Sequence, residues 1–156
     1  MNTENIKAVL QELIYRLQDA EKGYQEIKAA SSHVILNKWL ELYSKERHNM
    51  HRELEALSKE LGGDPVVDTT ILGAIHRMFI DIKINNVSFE NEIPAIVDEI
   101  ERGATTLLND YTKALADNKM DPKFATTLFN HKVTIQTELD SLIKLREEIN
   151  NPVPTK

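Results

Sequence analysis

His48 and His51 stand three residues apart, a spacing at which two imidazoles on one helix can bite a single metal ion, and Glu55 follows four residues after His51. Arg47, His131, Tyr24 and Tyr111 are the other side chains able to carry chemistry, because each interrupts or joins a helix-period run of apolar residues. Arg47 interrupts Leu36, Leu40, Tyr43, Met50, Leu54, Leu57 and Leu61, and His131 interrupts Phe124, Leu128, Ile135, Leu139, Leu142 and Ile149. Facing side chains inside a helical bundle are how metal and carboxylate sites are built there, so these interruptions pose the question of a site.

The carboxylate-bridged di-metal arrangement needs a Glu on each of two helices and a Glu-x-x-His on each of the other two. No Glu-x-x-His occurs: three residues after Glu46, Glu53, Glu101 and Glu138 come Asn49, Ala56, Ala104 and Ser141. His48 and His51 lie off the apolar run, so a solvated pair is expected. His76 is expected to be half-buried and satisfied, and His131 to hydrogen-bond a neighbouring helix. A guanidinium at the Arg47 position must meet a carboxylate or leave a buried charge uncompensated. Glu101 is the expected partner near mid-bundle, with Glu21 and Glu26 as the alternatives, and the Tyr24 and Tyr111 hydroxyls are placed to join the cluster. No glycine-flanked serine, phosphate loop or assembled nucleophile is present. The expectation is therefore no catalytic residue, no cofactor and no metal ligand. A degenerate metal site drawn from Glu46, Glu101 and His131 is the alternative, and an enzyme pocket using Arg47, Tyr24 and His131 ranks below both.

The elements that must position these residues are legible from periodicity and caps. A first helix is expected from Asn5 to Ala30, and Ser31 and Ser32 offer cap chemistry for a second that stops at Leu61 before Gly62, Gly63, Asp64 and Pro65. An extended Val66-Val67 and a cap at Asp68 or Thr69 precede a short helix with the face Ile71, Leu72, Ile75, Met78, Phe79 and Ile82, ending near Asn85 and Asn86. Its apolar surface, with Ile84, suits capping the bundle end ahead of self-association. Ser88 is expected to cap a third long helix with the run Ile93, Ile96, Val97, Ile100, Ala104, Leu107, Leu108, Tyr111 and Leu115, in which Pro94 marks a kink or the regular start. After a loop at Asn118 to Asp121, Asp121-Pro122 opens the last helix, which fades at Asn150. Gly23 and Gly103 lie within helices, where each costs about 1 kcal/mol relative to Ala unless close packing offsets it. Two helical hairpins joined by one long connection predict an all-α, ferritin-like four-helix bundle with a short extra helix in the crossover.

The 156 residues fit one domain, read as 1–150 with a tail at 151–156, and are enough to bury a core without staples. The absence of cysteine removes thiolate zinc sites, thiol catalysis and disulfides, and suits a reducing compartment. With 25 acidic against 19 basic residues, a net charge of −6 and the basic residues scattered, nucleic acid is not an expected partner. No apolar run approaches the roughly 20 residues that cross a bilayer, and the N-terminus has no leader pattern. A cytosolic protein without membrane partners is expected.

Several short signatures in order suggest relatives. Glu21, Gly23 and Tyr24; Glu46-Arg47 with Glu53-Leu54; Leu61-Gly62-Gly63 with Pro65; Leu72-Gly73 with Ile75-His76-Arg77; Glu101-Arg102-Gly103; Tyr111 with Ala114-Leu115; and Leu142, Leu145 and Arg146 together resemble a bacterial ferritin-like four-helix-bundle family of unknown function. The likeness covers nearly the whole chain and implies a fold without an activity. Where similar proteins tend to carry Glu after the Glu-Arg-Gly triplet, this chain has Ala104, which removes one possible inward carboxylate. The resulting expectation is a non-catalytic bundle that serves self-association or a protein partner.

Overall fold

The computed structural model describes residues 2–65, 74–84, 88–117 and 120–151. These form five α-helices and one turn of 3-10 helix, with no strand among the described residues. Helix α1 (Thr3–Ala30) starts at Asn2, whose side chain accepts the Asn5 N–H at 2.8 Å. The cap of α2 (Val34–Glu60) falls later than the serines suggest: His33 Nδ1 accepts the Leu36 N–H at 3.2 Å, and Ser31 Oγ accepts the His33 N–H at 3.0 Å. The expected stop of α2 is confirmed in detail. Gly62 takes φ 79°, and the N–H groups of Gly62 and Gly63 donate to the Lys59 and Ser58 carbonyls at 3.0 and 2.9 Å, closing the helix with orphan carbonyls satisfied.

Helix α3 (Ala74–Ile84) is the short extra helix. The expected extended Val66-Val67, the cap at Asp68 or Thr69, the apolar Ile71 and Leu72, and the end at Asn85 and Asn86 lie outside the described residues. Ser88 makes no side-chain cap; it precedes the 3-10 turn Phe89–Glu92, and α4 (Ile93–Leu115) begins regularly there with Pro94 in its first turn, where a missing N–H costs nothing. Asp121 caps α5 (Pro122–Asn150) as expected, accepting the Lys123 N–H at 2.8 Å.

Two apolar clusters show how the long helices run. One joins Ile6 to Leu17 of α1, Met50 to Leu57 of α2, Leu107 to Ala114 of α4 and Phe124 to Ile135 of α5. The other joins Tyr24 and Ile27, Leu36 to Tyr43, Ile93 to Ile100, and Leu142 with Leu145. The start of α1 thus shares one end of the bundle with the end of α2, the end of α4 and the start of α5. Helices α1 and α4 run opposite to each other, as do α2 and α5, while α2 and α4 run the same way. Because α2 finishes at the end where α4 also finishes, the connection between them has to climb the length of the bundle.

Helix α3 packs on α1 and α4, burying Ile82 and resting Ile75, Met78 and Phe79 on the second cluster. Its seat explains Gly23. A Cβ there would lie 2.9 Å from Ile75 Cβ and Cγ2, so only glycine admits this approach, whereas a Cβ at Gly103 would meet nothing within 4 Å. No helix among the described residues is long and apolar enough to cross a membrane.

Candidate functional site

Between the two apolar clusters the core turns polar. Arg47 of α2 and Glu138 of α5 are wholly buried and ion-paired, and the Tyr24 hydroxyl of α1 donates to the second Glu138 oxygen at 2.6 Å. Arg47 Nη1 lies 3.7 Å from Met50 Sδ. Burial raises the Glu138 carboxyl above its ordinary range, with Arg47 and the Tyr24 hydrogen bond opposing it, and burial beside Glu138 pushes the Tyr24 phenol well up. Burial works against the Arg47 charge, yet Glu138, Tyr24 and Tyr111 outweigh it and raise the guanidinium further.

The partner of Arg47 is therefore not Glu101. Glu101 sits at the edge of α4 and accepts from Arg146 at 2.6 Å, as Asp98 does at 3.0 Å. Glu21 and Glu26 are also elsewhere, on His48 with His51 and on His76. The physical reason is the phase of α5. Its buried residues Phe124, Leu128, His131, Ile135, Glu138, Leu142 and Leu145 alternate in steps of four and three, and that progression lands on Glu138 while Leu139 is only partly buried. A leucine beside a glutamate reads as the core residue of the two, and here it is not. The signal was available: unbroken four-three spacing, plus a buried Arg47 in need of an anion.

About two turns earlier on α5, His131 behaves as expected. Its Nδ1 lies 2.8 Å from the Tyr111 hydroxyl and its Nε2 3.0 Å from Glu53. Since a carboxylate only accepts, the neutral ring carries its proton on Nε2 and accepts the Tyr111 O–H at Nδ1. Burial lowers the His131 pKa, and the charge of Arg47 adds to it, against the pull of Glu53; burial likewise raises the Tyr111 phenol. Tyr24 thus joins the Arg47 cluster, while Tyr111 serves His131. Glu46, Glu101 and His131, the alternative metal set, are not brought together, and each of the latter two is engaged by its own partner.

A cavity of about 110 Å³ lies beside the ion pair, lined by Arg47, Tyr24, Ala104 and Gly103 among others, with Arg16 and Arg102 also at its wall. Small side chains at Gly103 and Ala104 leave this space, and the buried Arg47 Nε has no hydrogen-bond acceptor. The space is smaller than the pockets of about 300 Å³ or more that drug-sized ligands occupy.

The larger departure from expectation is on the α1-facing side of α2. His48 is exposed as expected, but His51 is only 5% exposed and Glu55 is buried with it. Helix α2 packs on α1 as well as on α5, so it buries a second row, Ser44, His51, Glu55 and Ser58, that the single apolar run does not reveal. Glu21 of α1 reaches this row: one carboxylate oxygen lies 2.9 Å from His51 Nε2 and the other 2.8 Å from His48 Nδ1, while Glu55 holds His51 Nδ1 at 2.7 Å. Burial opposes both charges, but the hydrogen bonds prevail, raising the His51 pKa through Glu21 and Glu55 and lowering that of Glu21. His76 is half-buried and satisfied by Glu26, as expected.

No curated protein matches the chain. A family model does match residues 5–117, taking in α1 to α4 and ending before the helix that carries Glu138 and His131, and the chain thereby belongs to the family described as Domain of unknown function (DUF2383).

Proposed function

We propose that the protein is a non-catalytic, ferritin-like helical bundle, one domain over residues 1–150, that acts in the cytosol through association with a second copy of itself. The ferritin-like arrangement is supported by antiparallel neighbours and a connection that must climb the bundle between two helices running the same way. The absence of catalysis is supported by what fills the bundle centre: an ion pair whose carboxylate is held by Tyr24, with an adjoining space smaller than drug-sized ligands occupy.

The observation that carries self-association is the outer face of α5. Phe129, Val133 and Ile143 are 56, 48 and 57% exposed, and at 100° per residue they fall on one face with Gln136 and Asp140 between them. That face is self-complementary. Two copies of α5 crossing antiparallel about Gln136 bring Phe129 opposite Ile143 and Lys132 opposite Asp140, so apolar meets apolar and cation meets anion under one two-fold operation. The short α3, whose apolar surface the sequence offers for capping the bundle end or for self-association, already spends most of its apolar side chains on its own bundle.

Analytical ultracentrifugation of the purified chain tests the reading. A dimer is expected, and Phe129→Lys should convert it to a monomer of unchanged helicity, with Lys132→Asp weakening it and Lys132→Asp/Asp140→Lys restoring it. A monomer at high concentration, or a dimer indifferent to Phe129→Lys, would refute it.

A further inference from the structure

On the α1–α2 seam a neutral His51 is one donor short of its two carboxylate neighbours. A neutral imidazole has one N–H, yet His51 is held between two carboxylates, Glu55 at 2.7 Å from Nδ1 and Glu21 at 2.9 Å from Nε2. With the Nδ1–H donating to Glu55, the Nε2 lone pair faces a carboxylate oxygen, an arrangement that needs a positive charge between them. His48 adds a second imidazole nitrogen to the same carboxylate at 2.8 Å. The three ligand atoms lie within 4.8 Å of one another and come from rigid helices, Glu21 from α1 and the two histidines one turn apart on α2.

We propose that Glu21, His48 and His51 form a binding site for one divalent metal ion of the zinc class. Two imidazoles and a carboxylate are the donor set of an open zinc site, and ligand atoms about 2.0–2.2 Å from a tetrahedral centre sit roughly 3.4 Å apart, within reach of small side-chain adjustments here. Glu55 is the positioning residue. It accepts a hydrogen bond from the Nδ1–H of His51, fixes the tautomer that presents Nε2, and is itself buried, the carboxylate–imidazole support that zinc ligands ordinarily carry. The fourth position opens on a groove lined by Gln25, Ser44, Asn49 and Lys45, whose ammonium is paired with Glu41, which leaves it to water or an exogenous donor. Because Glu21 belongs to α1 and the histidines to α2, the ion ties the first hairpin together near its middle. This site is separate from the bundle-centre cluster and does not depend on dimer formation.

The test is titration of the full, chelator-treated chain with Zn²⁺ alone, by calorimetry and by competition with a chromophoric chelator, together with Co²⁺ as a spectroscopic probe. One ion per chain is expected, with Co²⁺ giving the intense visible absorption of a four-coordinate centre. His48→Ala changes an exposed side chain and should leave the fold intact while lowering affinity at least 10-fold; Glu55→Gln should lower it about 10- to 100-fold without removing a ligand. His51→Gln should abolish the stoichiometric site. Absence of stoichiometric Zn²⁺ uptake by the wild type would overturn the proposal and leave a protonated His51 bridge, and so would uptake that survives both His48→Ala and His51→Gln.

Discussion

Replacing Arg47 with Met tests how the bundle tolerates its polar centre. The substitution keeps an unbranched apolar stem but leaves Glu138 fully buried with only the Tyr24 hydroxyl as partner. Removing one member of a buried ion pair costs about 3–5 kcal/mol, because the remaining charge is uncompensated, and Glu138→Leu should cost a similar amount through the stranded guanidinium. The double variant is different. Exchange of a buried pair for apolar residues is neutral or stabilising by about 1–4 kcal/mol, from which the lost acceptor of Tyr24 takes back about 1–3 kcal/mol. Arg47→Met/Glu138→Leu should therefore lie within about 3 kcal/mol of the wild type, giving a coupling of several kcal/mol between residues 91 positions apart in sequence.

Urea unfolding followed by helical circular dichroism and by Trp39 fluorescence measures all four proteins. Trp39 is the only tryptophan, stacks edge-on against Tyr24 at 5.6 Å and donates to Ser141 at 2.9 Å, so it reports on the α1–α2–α5 contact itself. Glu101→Ala is the control: its pair with Arg146 is at the surface, and the loss should stay below about 1 kcal/mol. Single substitutions that each cost under about 1 kcal/mol, with an additive double variant, would refute the reasoning from burial.

Two further outcomes are expected. Gly103→Ala should stabilise the chain by up to about 1 kcal/mol, as nothing obstructs its Cβ, whereas Gly23→Ala should lose that gain against Ile75 and speed hydrogen exchange or proteolysis in α3; equal effects from both would contradict the seat described for α3. For His131 the folded pKa lies below 6.5, so its contribution is complete above that pH and is lost as pH falls through 6.5 towards the folded value, where the unfolded chain binds the extra proton. Unfolding free energy measured from pH 7.5 down to 5 should fall more steeply in the wild type than in His131→Gln, which keeps hydrogen bonds to Tyr111 and Glu53 without titrating; parallel curves would show that the imidazole gains its proton without cost.

The helices were legible because caps and periodicity act locally. Gly62-Gly63 and Asp121-Pro122 terminate and start helices through their own backbone chemistry, whatever packs against them. Partners were less legible because they depend on the relative phase of helices far apart in sequence. Arg47 announced a buried anion, yet the choice among Glu21, Glu26, Glu101 and Glu138 depends on which side of α5 turns inward, and Leu139 beside Glu138 masked it. His51 was misread for a related reason: one apolar run defines one buried face, while α2, set between α1 and α5, buries two. The second face is polar, with Ser44, His51, Glu55 and Ser58, so hydrophobicity carries no signal for it.

That phase problem also suggests what the polar centre does for the fold. The four-three progression of α5 repeats every seven residues, so a slip of α5 by seven lays Leu128 onto Ile135 and Ile135 onto Leu142, and apolar packing alone hardly distinguishes the two registers. Trp39 would even find the Thr134 hydroxyl in place of Ser141. The polar residues do discriminate. A slip one way brings His131 to Arg47 and the other way brings Leu145, and in both cases the buried guanidinium loses its carboxylate at a cost of about 3–5 kcal/mol. The short connection between α4 and α5 opposes the slip, and the Arg47–Glu138 pair penalises it. Stability and register then separate in the apolar double variant of the first experiment: it should stay far more stable than either single variant while Trp39 fluorescence and the α5 amide signals report more than one arrangement. A single sharp set of signals from that variant would assign register to the connection and the apolar layers alone.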